Sequence, residues 1–277
     1  MAHPLVTKEL VLRLEAAEAG YNTAKLRALQ AADDNARGVE IAHLGGTVLH
    51  AVQSRRNNPS VNRAACFRTE DLAHLEDILD WLRRRSAYYW LDVAPALVDD
   101  ATLKSLADAG LYPSFFLNVV CATPQEPQEP SPASIAVDEI DLRVQDHGFS
   151  LAFSEGFGVP LDRLESTRRS AQIEYGAPGW RTYLATVEGQ PAAMAALYLE
   201  DETASIDAMA TVPRHRRRGC QSALLRRCLS DAARAGCTLI ASQTRPSSVS
   251  ERNFARAGFR IAYTKLLYAP RRPGAFG

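Results

Sequence analysis

The sequence predicts an α/β protein made of two consecutive halves on one plan. Three observations lead there. Strand-like and helix-like segments alternate along the chain, a proline-rich stretch divides it near the middle, and the two halves close on matching segments.

The divider is residues 122–136, where Pro124, Pro127, Pro130 and Pro132 stand among Gln, Glu and Ser. Each proline fixes φ and lacks an amide donor, so the stretch reads as an extended, semi-rigid spacer. We place a linker at 123–138, between a first domain over 1–122 and a second over 139–277. The second half reads as a strand (140–144), helices (146–157 and 161–175) and three strands (183–187, 192–199, 205–212). A long helix over 219–235 follows, with Ala223, Leu224, Cys228, Leu229 and Ala232 at helical spacing and arginines opposite. Gly236 ends it. A strand (238–242), a helix (248–257) stopped by Gly258 and a last strand (259–268) complete this half.

The first half follows suit: a helical region (7–32), a hairpin at Gly45-Gly46, a strand (63–67), a helix (69–85), a strand (87–93) and a helix (99–109). Its end, Leu106-Ala-Asp-Ala-Gly-Leu-Tyr, answers Phe254-Ala-Arg-Ala-Gly-Phe-Arg, and each runs into an apolar strand. The offset, near 148 residues, predicts an internal duplication.

Composition narrows the class. Hydrophobic residues at 46% and charged residues at 23% are ordinary for a globular protein. No uninterrupted apolar stretch marks a leader or a membrane span, and five scattered cysteines form no CxxC pair, so a cytoplasmic protein without disulfides, metal or membrane association is expected. Net charge is zero but polarised: residues 1–138 hold 13 Lys+Arg against 18 Asp+Glu (−5), and residues 139–277 hold 19 against 14 (+5). An anionic partner belongs with the second half.

The run Arg214, Arg216, Arg217, Arg218 shows where. In Ala210-Thr-Val-Pro-Arg-His-Arg-Arg-Arg-Gly-Cys-Gln-Ser-Ala-Leu-Leu a strand ends at Val212, and a basic loop opens the long helix. Free amides of the first helical turn and the macrodipole attract anions, and Gly219 lets a ligand approach the backbone. The arginines add charge. His215 reads as an exposed loop residue and Cys220 as a packing residue.

Order and pattern together resemble the GNAT N-acetyltransferase superfamily, whose cofactor motif [Gln/Arg]-x-x-Gly-x-[Gly/Ala] is met by Arg216 and Gly219 after Val212-Pro213. Ala257-Gly258-Phe259 resembles the family's later Gly-Phe signature. The resemblance covers 139–277, and the first half looks like a degenerate copy. It implies a mixed, mostly antiparallel sheet flanked by helices, in two tandem copies, with acetyl-CoA or another acyl-CoA as donor. The loop would hold the CoA pyrophosphate, with Arg216, Arg217, Arg218, Gly219, Gln221 and Ser222 as binding residues. The backbone of Ala210, Thr211 and Val212, on a strand splayed from 238–242, would meet the pantetheine arm and the thioester carbonyl. Ser250 and Asn253 are expected near the thioester or pantetheine. Asp207 and Glu155 are the candidate bases, with Asp207, Met209 and Thr211 on one strand face.

Two positions depart from the family pattern. Gln221 stands where Gly or Ala is usual, and Phe254 where a tyrosine would protonate the leaving thiolate. Either Tyr263 or Ser250 replaces that acid, or the thiolate, whose parent thiol has a pKa of about 8.5, leaves unaided. In the first half the equivalent turn, Phe67-Arg68-Thr69-Glu70-Asp71, lacks glycine and carries two carboxylates, with Thr69 as N-cap. That half is expected to bind no CoA.

The reaction implied is acyl transfer to a primary amine of a small molecule or amino acid, with a homodimer as a possible assembly. Two alternatives stay open: acyl transfer from aminoacyl-tRNA on the same fold, the one reading that would involve nucleic acid, and a non-catalytic acyl-CoA-binding regulatory module.

Overall fold

A computed structural model describes residues 5–126 and 133–271. In chain order the first elements are α1 (Lys8–Ala31), β1 (Val39–Leu44), β2 (Thr47–Val52), β3 (Arg63–Phe67), α2 (Leu75–Arg85), β4 (Trp90–Val93), α3 (Asp100–Asp108) and β5 (Leu111–Ala122). Then come β6 (Ile135–Ile140), α4 (His147–Phe157), α5 (Leu164–Tyr175), β7 (Trp180–Val187), β8 (Gln190–Glu200) and β9 (Thr203–Thr211). The last are α6 (Cys220–Arg234), β10 (Leu239–Thr244), α7 (Val249–Arg256) and β11 (Arg260–Pro270). The chain packs as two compact units, Met1–Val119 with Ile261–Gly277, and Val120–Arg260. Part of the expected linker, 127–132, lies outside the described residues.

Both units are mixed, mostly antiparallel sheets flanked by helices. In the first, the strand order is β1-β2-β3-β4-β11-β5, with β1–β2, β2–β3 and β4–β11 antiparallel and β3–β4 parallel across α2. In the second, β6-β7-β8-β9 run antiparallel and β9–β10 is parallel across α6. Each unit therefore has a run of antiparallel strands, three in the first and four in the second, followed by a helix crossover into a parallel neighbour. The terminal match persists in the backbone. Gly110 after α3 and Gly258 after α7 take φ of 81° and 90°, and each leads into a long strand.

Several boundaries differ from the sequence reading. The strand expected at 140–144 lies earlier, over Ile135–Ile140. The Asp141 carboxylate accepts from the Arg143 amide at 2.9 Å, and the chain turns there instead of continuing the ladder with β7. The last strand, expected in the second domain, packs from Ile261 onward with the first unit, where Leu266–Tyr268 pair with Leu91–Val93. Thr69 is not a helix cap: a 3₁₀ turn over Thr69–His74 precedes α2, and the Thr69 hydroxyl accepts from the Asp99 amide at 3.1 Å. Asp71 does not face solvent either. It accepts from the Gly46 amide at 2.7 Å and the Thr47 hydroxyl at 2.9 Å, tying the β1–β2 hairpin to the turn after β3. That turn is engaged by a buried carboxylate, as a site for an anion would not be.

The first unit has an apolar core around Leu49, Phe67, Ile78, Leu79, Leu82 and Leu91. Beside it lies a fully buried ionic cluster that the sequence did not reveal. The Lys265 ammonium meets Glu15 at 2.7 Å and also Glu18, the Arg63 guanidinium meets Glu18 at 2.7 Å and also Asp92, and the Tyr263 hydroxyl donates to Glu15. Burial pushes the Glu15 and Asp92 carboxyls up. Burial acts on Glu18 too, but the charges of Lys265 and Arg63 overcome it and hold that carboxyl down at about 2.

Candidate active site

The site is built where β9 parts from β10. Their parallel ladder pairs Thr203–Ile206 with Leu239–Ser242 and ends there, while both strands continue. Val212 donates its amide to Ala192 on the β8 side at 2.9 Å. Antiparallel alternation then sends the backbone groups of Met209 and Thr211 toward the open β10 edge. An extended amide-bearing ligand arm could pair there as an added strand does. A bulge precedes this segment: Leu197 pairs with Ile206 and Ala196 with Ala208, which leaves Asp207 as the extra residue.

The bulge reverses the faces. Ile206 packs in the core with α6, whereas Ala208, Ala210 and Val212 pack in the core with Phe149 and Ala152 of α4 and Ala171 and Tyr175 of α5. Asp207 accepts a hydrogen bond from the Tyr175 hydroxyl at 2.8 Å. Met209 packs instead against the α6 core. The expectation that Asp207, Met209 and Thr211 share a face is therefore corrected, because strict alternation stops at the bulge.

Beyond Thr211, Pro213 starts a 3₁₀ turn and the chain enters α6 through Arg217 at φ 63° and Gly219 at φ 91°. Left-handed backbone is unremarkable for glycine but costs an arginine about 1 kcal/mol, and such strain collects at ligand-binding loops. Gln221 projects across to α7. Its amide donates to the Ser250 hydroxyl at 2.9 Å and its carbonyl oxygen accepts from the Asn253 amide at 2.6 Å. The side chain that replaces the family's small residue is thus drawn out of the loop by two hydrogen bonds. The start of α7 is itself secured by Ser248, which accepts from the Glu251 amide at 3.0 Å.

These elements enclose a cavity of 720 Å³ within the second unit. Of the expected binding residues, Ala210, Thr211, Arg216 and Arg217 line it, as do Gly219, Gln221, Ser222 and Asn253. Ser250 lines it too. Val212 is buried in the sheet instead, and Arg218 points to Glu188 at 3.1 Å. Asp207 and Glu155 are not among the lining residues. Glu155 sits in the last turn of α4 and is paired with Arg214 at 2.5 Å. Tyr263 belongs to the first unit, where burial beside Glu15 pushes its hydroxyl well above the ordinary tyrosine range. That proton is not available to a thiolate in this cavity.

Phe254 also faces away from the cavity. It is buried in the α6 core and meets Phe259 edge-on at 4.9 Å between centroids. A tyrosine at this position would carry its hydroxyl into that core unless the helix turned. The expectation for His215 is overturned as well: the residue is buried and lines the cavity.

Sequence reasoning missed Gly156, Phe157, Met209, Cys220, Val249 and Arg256 as lining residues. One signal was present, a glycine inside a predicted helix. A Cβ on Gly156 would stand 2.6 Å from the Ala210 Cβ, so α4 reaches β9 only because the side chain is absent. Burial pushes the Cys220 thiol above the ordinary range, which disfavours the thiolate a nucleophile needs.

Residues 149–259 match the model of the acetyltransferase (GNAT) family. The second unit thus carries a GNAT-family domain, the class its splayed strands and glycine loop define. Three solved structures show the same fold across nearly the whole chain. A GCN5-related N-acetyltransferase from Kribbella flavida is 15% identical, with a TM-score of 0.65, over 93% of this chain and 96% of that one. One from Sphaerobacter thermophilus is 20% identical, with a TM-score of 0.62, over 93% and 94%. A tandem GNAT protein from the clavulanic acid biosynthesis pathway is 13% identical, with a TM-score of 0.63, over 96% of each chain. No curated protein matches the sequence.

Proposed function

We propose that the protein is an acyl-CoA-dependent N-acyltransferase that moves an acetyl or similar acyl group to a primary amine of a small molecule or amino acid. The observation that carries this is the sharing of one cavity by the open edge of β9 and the Gly219 loop. A donor with an amide-bearing arm and a diphosphate needs both, at that adjacency. Loop amides and Arg216 bind the diphosphate, while the backbone of Met209 and Thr211 pairs with the pantetheine arm. An amide on the open edge would also stabilise the oxyanion formed when the amine attacks the thioester.

A thioester is already activated, so the protein's main tasks are to hold two reactants and accept one proton. Asp207, held by Tyr175 at 2.8 Å, is the carboxylate we assign to drawing that proton away, through water, since it does not line the cavity. Glu155 is engaged by Arg214 and is the weaker choice. The thiolate leaves without a dedicated tyrosine. Whatever the acceptor, the cavity lies in the second unit, and the turn after β3 in the first unit holds a buried carboxylate where an anion would bind. The domain divisions at 122 and 139 remain our reading of the tandem plan.

The test is release of free thiol from acetyl-CoA, followed with a thiol reagent, across a panel of small amines and amino acids. Amine-dependent release together with mass-detected acylated product is expected. Tight acetyl-CoA binding without turnover on any amine would favour the regulatory module instead. Binding of charged tRNA that weakens steeply with salt, without acetyl-CoA binding, would favour the tRNA-dependent reaction.

A further inference from the structure

His215 is 8% exposed, and neither Nδ1 nor Nε2 of its ring has a hydrogen-bond partner. Its main chain is fully engaged: the amide donates to the Val212 carbonyl at 2.9 Å, and the carbonyl lies 3.8 Å from the Cys220 Sγ as acceptor. The 3₁₀ turn begun by Pro213 thus fixes the residue without using its ring. That ring lines the same cavity as Arg216, Gly219 and Gln221. Leaving a buried polar group unpaired costs about 1–3 kcal/mol, so a native structure that keeps one at a cavity wall points to a partner that arrives with the ligand.

The charges around it indicate that partner's sign. Arg214 is taken by Glu155 and Arg218 by Glu188, whereas Arg216 and Arg217 line the cavity. Carboxylates are not among the residues lining it. An imidazole N–H on a cavity wall shared with Arg216, Arg217 and Arg256 calls for an acceptor, and an anionic oxygen is the strongest one. We propose that His215 is a donor-binding residue whose ring N–H hydrogen-bonds a diphosphate oxygen of the bound acyl-CoA. This inference rests on the acyl-CoA reading above. It adds to the backbone amides a side-chain contact that the glycine motif does not specify.

The test compares wild type, His215→Phe and His215→Gln in the full chain, by calorimetric titration with CoA, thermal unfolding of the free protein and phosphorus NMR of the bound cofactor. His215→Phe is expected to weaken CoA binding by about tenfold, the loss of one such hydrogen bond. Its free-state melting temperature should equal or exceed that of wild type, because an unpaired polar ring has been removed. His215→Gln, which keeps an N–H donor, should bind closer to wild type than His215→Phe. The diphosphate resonances should shift between wild type and His215→Phe while the 3′-phosphate resonance stays in place. Unchanged CoA affinity in His215→Phe would overturn the assignment, as would an affinity loss with unmoved diphosphate resonances. A parallel fall of melting temperature and affinity in both variants would make the role structural and overturn it too. Failure of wild type to bind CoA is a distinct result, which would remove the functional reading itself.

Discussion

Replacing Gly219 with aspartate should abolish useful CoA binding while leaving the protein folded. Gly219 has φ 91°, and a Cβ there would find only the Ile135 Cδ1, at 3.7 Å, so the new side chain has room. The left-handed backbone costs about 1 kcal/mol, a modest loss of stability. The electrostatic effect is far larger. A carboxylate at the mouth of α6 takes up the free amides and repels a diphosphate, and two like charges about 4 Å apart repel by about 4 kcal/mol near a protein surface. That is a loss of two to three decades in affinity, on the order of 100-fold or more. Titration calorimetry reads the affinity and thermal unfolding the fold. A Gly219→Asp protein that binds CoA within threefold of wild type would show that the diphosphate sits elsewhere.

The largest stability effect is expected in the first unit, at Lys265. Its ammonium is fully buried against Glu15 and Glu18, with Asp92 at 3.8 Å. Changing Lys265 to methionine keeps the stem but leaves three buried carboxylates facing the single cation Arg63. Removing one partner of a buried ion pair typically costs about 3–5 kcal/mol, so a large drop in the urea midpoint is expected. Linkage gives a companion result for wild type. Glu18 has a depressed carboxyl, at about 2, so the stability it contributes is present above its unfolded value and is lost as pH falls toward 2. Lys265 has a raised value, so its contribution is present at neutral pH and is lost only as strong alkali deprotonates it in the fold. A Lys265→Met protein within about 1 kcal/mol of wild type would show that the cluster is replaceable by apolar packing, as some buried ion pairs are.

How far the sequence was legible follows the range of the interactions. The α/β alternation, the glycine at the start of α6 and the stop at Gly258 are local signals, and the fold carries them. The splay of β9 from β10 followed from family resemblance, and the ladder that ends at Ile206 and Ser242 agrees with it. What could not be read depends on register and on distant partners. The extra residue at Asp207 is a feature of pairing with β8, so nothing in 203–211 alone announces that the faces reverse. Tyr263 follows α7 in sequence, yet β11 pairs with β4 and the Tyr263 hydroxyl donates to Glu15. His215 lies in a run of arginines and reads as exposed, but a turn of three residues folds it inward. The ionic cluster joins residues 15, 18, 63, 92 and 265, which no sequence window brings together.

The proposed function requires one acyl-CoA site per chain, in the second unit, and the stoichiometry of acetyl-CoA binding to the full chain by titration calorimetry tests it. One molecule per chain, lost in Gly219→Asp, is the expected result. Two molecules per chain would show that the first unit also binds the donor, and none would contradict the assignment of the Gly219 loop as a cofactor site.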